Sequence, residues 1–167
     1  MCGTYYLDVK KHLELHKLNK NNIDGDIFPG NKAPVVIKTD NGYQARIMTW
    51  GYKMRDKLIY NARSETVLDK DFFISIYFTR CLVPVSGYYE FSKDKTKYSF
   101  SKDKPFYLAG IYKDNRFCII TTNCSKYNSI HSRMPLILEG DDIKLWLSDD
   151  FNVVLKEKDV FLDVNVV

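Results

Sequence analysis

From Val35 to Thr122 the sequence alternates short runs rich in β-branched and aromatic residues with polar, turn-forming stretches. The run that begins at Val35 is broken by Asp40-Asn41-Gly42 and resumes from Tyr43 to Trp50. A turn of this kind needs φ > 0, so the pattern predicts a two-residue hairpin. Further runs over 81–91, 97–101, 106–112 and 117–122 are separated by polar turns such as Lys113-Asp114-Asn115-Arg116, and they read as successive antiparallel strands. Residues 134–138 and 160–167 are also strand-like.

Helical patterning lies between and around these runs. Leu7, Leu15 and Leu18 recur at roughly helical spacing and predict an amphipathic helix that ends at the asparagines near position 20. A helix over 64–77 would be capped by Ser64, a short one spans 125–130, and Asp141 or Asp142 caps another that runs to Leu147. The fold class is α+β, dominated by strands. With 167 residues, 45% of them hydrophobic, the chain supplies one well-buried core, and a single domain over 1–167 is expected.

Bulk properties narrow the function classes. The longest apolar runs fall far short of a membrane span and no signal-peptide core is visible, so a cytoplasmic protein without membrane association is expected. The four cysteines form no C-x-x-C pair and read as reduced thiols, with Cys81 and Cys118 as small core residues. The net charge of +4 hides an asymmetry: 22 basic and 13 acidic residues precede Glu139, a balance that suits either a polyanion or a solvated lysine-rich surface. His12 and His16 are spaced i, i+4, but Glu14 does not follow the first histidine directly; solvated histidines are a better reading than a zinc site. No metal or organic cofactor is expected.

The chemistry-bearing candidate nearest the amino terminus is Cys2, between Met1 and Gly3. Removal of one residue would pair an α-amine of pKa about 7.7–8.0 with a thiol of about 8.5 on adjacent carbons, leaving both nucleophiles substantially available near neutral pH. Taken alone, Cys2 is more economically an ordinary small second residue. Four polar clusters stand out besides: Asn61 to Thr66, Gly87-Tyr88-Tyr89-Glu90-Phe91, Thr121-Thr122-Asn123, and His131-Ser132-Arg133-Met134-Pro135. Glu90, at the end of an aromatic run, is either a desolvated general acid–base or an outward-facing strand residue. His131 either shuttles protons or caps the short helix before it.

Taken in order, Met1-Cys2-Gly3, Asn31-Lys32-Ala33-Pro34, Trp50-Gly51, the Asn61–Thr66 cluster, Gly87 to Phe91 and His131 to Pro135 resemble the SOS-response-associated peptidase family, whose members shield abasic sites in single-stranded DNA through an amino-terminal cysteine. The resemblance implies a barrel-like, antiparallel core with peripheral helices. It also implies that Cys2 is the nucleophile, that Asn61 positions its amine, and that Glu90 and His131 handle protons. The amine would condense with the ring-opened sugar aldehyde to an imine, and the thiol would close a five-membered thiazolidine. An imine also makes β-elimination at the lesion, a lyase reaction, chemically reasonable, and the family's name implies processing of its own terminus. The resemblance assigns Arg63 and Arg133 to phosphates, and Asn31, Pro34 and Trp50 to the DNA path, with an exposed Trp50 indole stacking on a base or wedging at a single-to-double-strand junction. The implied partner is single-stranded DNA carrying abasic sites, bound by a monomer.

The chain departs from the family at Thr4, where arginine is usual, at Tyr52-Lys53-Met54-Arg55, where a Pro-x-Trp element is common, and at Phe91, where tryptophan is usual. Two other functions fit parts of the pattern. One is an amino-terminal-nucleophile glutamine amidotransferase, which also begins Met-Cys-Gly; the other is a single-strand DNA-binding module in which Cys2 is idle.

Overall fold

The computed structural model describes residues 2–16, 18, 24–124, 130–155 and 159–167. The strands are β1 (Thr4–Leu7), β2 (Gly25–Ile27), β3 (Lys32–Thr39), β4 (Gly42–Trp50), β5 (Tyr52–Met54), β6 (Lys57–Ile59), β7 (Asn61–Arg63), β8 (Arg80–Phe91), β9 (Lys97–Lys113), β10 (Arg116–Asn123), β11 (Arg133–Pro135), β12 (Ile137–Leu138) and β13 (Asp163–Val166). Two short helices, α1 (Asp71–Tyr77) and α2 (Asp141–Trp146), lie outside them. The α+β, strand-rich reading holds. Pairing runs β8 to β9 to β10 to β4 to β3 and back to β8, which closes the sheet into a ring and removes the open edges of those strands. Most pairs are antiparallel, but β10 lies parallel to both β4 and β7.

The two strongest turn signals are realised locally. In the β3–β4 hairpin, Thr39 pairs with Gly42, and the positive φ of +105° falls on Gly42 alone, so a glycine follows an ordinary turn rather than sitting inside a mirror-image one. At the β9–β10 turn, Asp114 and Asn115 both take positive φ (53° and 59°), which matches the right-handed twist of the strands. The runs at 97–101 and 106–112 merge into one strand, β9. Its register against β8 jumps from Val85↔Phe106 to Gly87↔Ser101, so residues 102–105, three charged residues and Pro105, bulge out opposite Ser86 instead of forming a turn.

The expected helices fare less well. Leu7 belongs to β1, and the chain continues from it through two single 3-10 turns, Val9–Lys11 and Leu13–Leu15. His12 between them is buried, not solvated: its Nε2 faces the Val85 carbonyl at 3.1 Å and its Nδ1 faces Glu14 at 3.2 Å. Ser64 caps no helix; its N–H donates to Thr121 O and extends the β7 pairing, and α1 starts only at Asp71. The short helix expected over 125–130 lies outside the described residues, apart from Ile130. The last helix is α2, preceded by Gly140 and docked by Trp146 Nε1 donating to Cys81 O at 3.0 Å. Among the described residues no helix is long and apolar enough to cross a membrane.

The interior is filled by large side chains from all sides of the ring, with Tyr5, Trp50, Tyr88, Phe100, Phe106 and Phe117 essentially inaccessible. Trp50 and Phe117 stack at 6.4 Å between centroids, Tyr88 and Phe100 at 4.9 Å. This core sets one end of the barrel. β1 runs antiparallel to the end of β8, with Thr4 opposite Tyr89, so the residues before β1 are carried toward Glu90. At the end of β10, Thr121 lies between Arg63 of β7 and Pro135 of β11, so the remaining polar clusters arrive beside it.

Candidate functional site

Cys2 is fully buried, and the side-chain amide of Asn61, 59 positions away, donates through Nδ2 to its carbonyl at 2.8 Å. Asn61 reaches it because β7 is laid along β10 in register, Ile119 with Asn61 and Thr121 with Arg63, while Ala62 between them is buried. Asn61 Oδ1 is also buried and accepts no hydrogen bond among the described residues. An acceptor left in this way is costly unless something arrives to use it. Behind Asn61 stands Trp50, whose indole N–H donates to the Tyr60 carbonyl at 2.9 Å and whose ring meets Tyr5 at 5.1 Å.

Glu90 is on the inward face of β8, two residues from the buried Tyr88, and is 5% exposed. Burial raises its pKa, against the pull of the nearby His131 charge. The inward option is therefore the one realised. The Cys2 thiol feels the same surroundings: burial, and then the negative charge of Glu90, push its pKa well up. Removal from water thus penalises the thiolate more than anything nearby stabilises it. Cys124, at the end of β10, is also raised by burial and then by Glu90.

His131 lies two residues before the start of β11. Its Nδ1 lies 3.0 Å from both the N–H and the C=O of Arg133. The Arg133 side chain turns back across β10: Nη1 and Nη2 donate to the two oxygens of Glu65 at 3.1 and 2.9 Å, Nη1 also to Asn123 Oδ1 at 3.1 Å, and Nη2 also to Thr121 O at 2.8 Å. Glu65 is held ionised: desolvation acts to raise its pKa, but Arg133 and, less, Arg63 outweigh it and bring the value down. Arg63 itself is exposed.

The structure therefore gathers Cys2, Asn61, Glu90 and His131 at one end of the barrel, with Arg63 and Arg133 beside them. The three residues expected along a DNA path behave differently. Asn31 is exposed in the turn before β3, where its Oδ1 accepts from Phe28 N–H at 2.9 Å. Pro34 is buried in β3, and Trp50 is wholly inaccessible, so the stacking or wedging indole is corrected to a core residue that supports Tyr60 and Asn61. Lys53, Met54 and Arg55, on and after β5, are exposed. Sequence reasoning assigned no part to Glu65 or Asn123, although both lie in the polar clusters; an acid two residues from Arg63 was the available signal.

A family model described as "SOS response associated peptidase (SRAP)" matches residues 1–162. Among curated proteins, the chain is similar to "Abasic site processing protein YoaM" of Bacillus subtilis, at 33% identity over 74% of this chain and 65% of that one, and to "Abasic site processing protein YoqW" of the same organism, at 27% over 89% and 80%. The match thus spans just under two thirds of the length of YoaM. Solved structures of proteins from Bacteroides thetaiotaomicron (TM-score 0.80, 21% identity, 99% of this chain and 92% of that one) and Bordetella bronchiseptica (TM-score 0.81, 18% identity, 99% of each) share the fold. With its family model matched over nearly its whole length, the chain belongs to the SOS response associated peptidase family.

Proposed function

We propose that this protein, once Met1 is removed, processes abasic sites in single-stranded DNA by forming a covalent thiazolidine through Cys2. The observation that carries the reading is the Asn61 amide: it grips the Cys2 carbonyl and leaves a buried acceptor, Oδ1, where the amine of the same residue needs a partner. An amine that donates to Oδ1 has its lone pair directed away from Asn61 and toward an incoming aldehyde. Its addition forms a C–N bond, and loss of water gives the imine. The Cys2 S–H then adds across C=N, sulfur to carbon and proton to nitrogen, so one water leaves overall.

A protonated thiol needs a base at this second step. Glu90, whose pKa is raised by burial, is a stronger base than an exposed glutamate and lies close enough to shift the thiol's own ionisation. His131 protonates the sugar ring oxygen as the aldehyde opens. Arg63, exposed beside the site, binds a flanking phosphate; Arg133 can do so only by exchanging Glu65 for it. The names of the curated relatives support the substrate.

The test is intact mass after incubation with a single-stranded oligonucleotide bearing one abasic site. Protein lacking Met1 gains the oligonucleotide mass less one water, and Cys2→Ala gains nothing. The full burial of the thiol favours one other outcome. If Met1-less protein binds the oligonucleotide without gaining mass, it is a non-covalent single-strand binder. The glutamine amidotransferase reading has only the Met-Cys-Gly start behind it, and the Asn41-Gly42 pair lies at the β3–β4 turn.

A further inference from the structure

Arg133 has four N–H groups on its two terminal nitrogens, and the structure gives each an acceptor: two on Glu65, one on Asn123 and one on Thr121. Its side chain is 12% exposed, and Nε is buried without a partner among the described residues. A guanidinium fixed at two strands and a turn is a strut. It ties β11 to the end of β10 and to the turn after β7, with Glu65 closing the fork in parallel, bidentate geometry. On the other side of the same residue, the main chain presents an N–H and a C=O at equal distance, 3.0 Å, from one ring nitrogen of His131.

That pairing has a chemical meaning. Neutral His131 accepts from Arg133 N–H at Nδ1 and so carries its proton on Nε2. Protonated His131 donates from Nδ1 to Arg133 O instead. The ring is held in one place in both protonation states, provided the Arg133 main chain does not move.

We infer that Glu65 and Arg133 are positioning residues for His131: the Glu65 fork immobilises the Arg133 backbone, which cradles the His131 ring through a cycle of protonation and release. The inference rests on the abasic-site reading for its substrate, but not for its geometry. Arg133 here acts through its backbone, whereas a phosphate ligand would require its side chain to leave Glu65. Of the charged groups around His131, Glu90 on β8 is near enough to feel its charge, and Arg133 contacts it directly and Glu65 through Arg133.

Two measurements test this on Met1-less protein. In 15N-resolved NMR of the histidine rings, neutral His131 shows an acceptor Nδ1 and a protonated Nε2, and Glu65→Gln converts it to a mixture of tautomers. In the crosslinking assay, Glu65→Gln slows adduct formation by about 10- to 100-fold and displaces the pH profile, whereas Glu65→Asp, which keeps the charge, restores part of the loss. In a His131→Ala background the Glu65 substitution has no further effect, because both act through one ring. Separate, multiplying losses would overturn the inference, as would an unchanged tautomer. A Glu65→Gln protein that binds intact single-stranded DNA more tightly, with a steeper salt dependence and undiminished crosslinking, would make Glu65 a placeholder for phosphate instead. If wild-type protein forms no adduct, the abasic-site reading fails while the NMR result still decides this one. Circular dichroism of each variant separates loss of positioning from loss of fold.

Discussion

Glu90 shows how folding and chemistry oppose one another in a single side chain. Its pKa is raised because burial penalises the carboxylate, so the folded protein holds this proton more tightly than the unfolded chain does. Stability is therefore lost as pH rises from the ordinary glutamate value through the raised folded value, and the deficit persists above it. Glu90→Gln removes the buried charge and is expected to raise Tm by a few °C at pH 7.5, about as much as other stabilising substitutions, with little change near pH 4. Scanning calorimetry at the two pH values checks this, and a lower Tm at pH 7.5 would show that partners of the carboxylate outweigh its desolvation. The same substitution is expected to slow adduct formation by about 10²- to 10⁴-fold, the usual contribution of a general base. In the wild type, the rate should fall on the acid side at a pH above that of an exposed glutamate. Glu90 was legible as a candidate from its place at the end of an aromatic run. Which way it pointed was not, because a strand residue's face depends on pairing register, here Tyr88 and Glu90 against Phe100 and Tyr98.

Elements whose cause is local matched the sequence. The turns at Gly42 and at Asp114-Asn115 arise from residues that tolerate φ > 0, and the strands beside them form accordingly. Elements that depended on partners did not match: the leucines of 7–18 had helical spacing, but Leu7 pairs with Gly25 in the β1–β2 ladder and the chain after it makes two single 3-10 turns. Gly87 is a pairing requirement of the second kind. A Cβ there would overlap the Tyr6 ring, which packs against Tyr89 at 5.3 Å across the same β1–β8 ladder that carries Cys2 toward Glu90. Gly87→Ala is therefore expected to cost about 1–3 kcal/mol in urea unfolding, the range of an overpacked site. Tyr6→Ala in the same chain should recover part of that loss, and a loss unchanged in the double variant would locate the strain elsewhere.

Ring closure is what converts these elements into a site, and Trp50 marks the difference. Because β10 lies parallel to β4, Phe117 pairs with Trp50 and covers it, and the indole is turned inward to the Tyr60 carbonyl. Emission from Trp50 and from the equally buried Trp146 is expected to resist acrylamide quenching and to be unaltered by single-stranded DNA; strong quenching relieved by DNA would restore the stacking role. Trp50→Phe should cost about 2–4 kcal/mol, through a lost hydrogen bond and a partial cavity, and should loosen Asn61 next to Tyr60. The order of polar clusters, the turns, the strand runs and a Cys-Gly start could all be read along the chain, because each is a property of adjacent residues. The burial of Trp50, the upward shift of the Cys2 thiol and the fork between Glu65 and Arg133 could not. They arise between residues 59 or more positions apart, or from desolvation by the whole barrel, and neither exists until the strands have closed on one another.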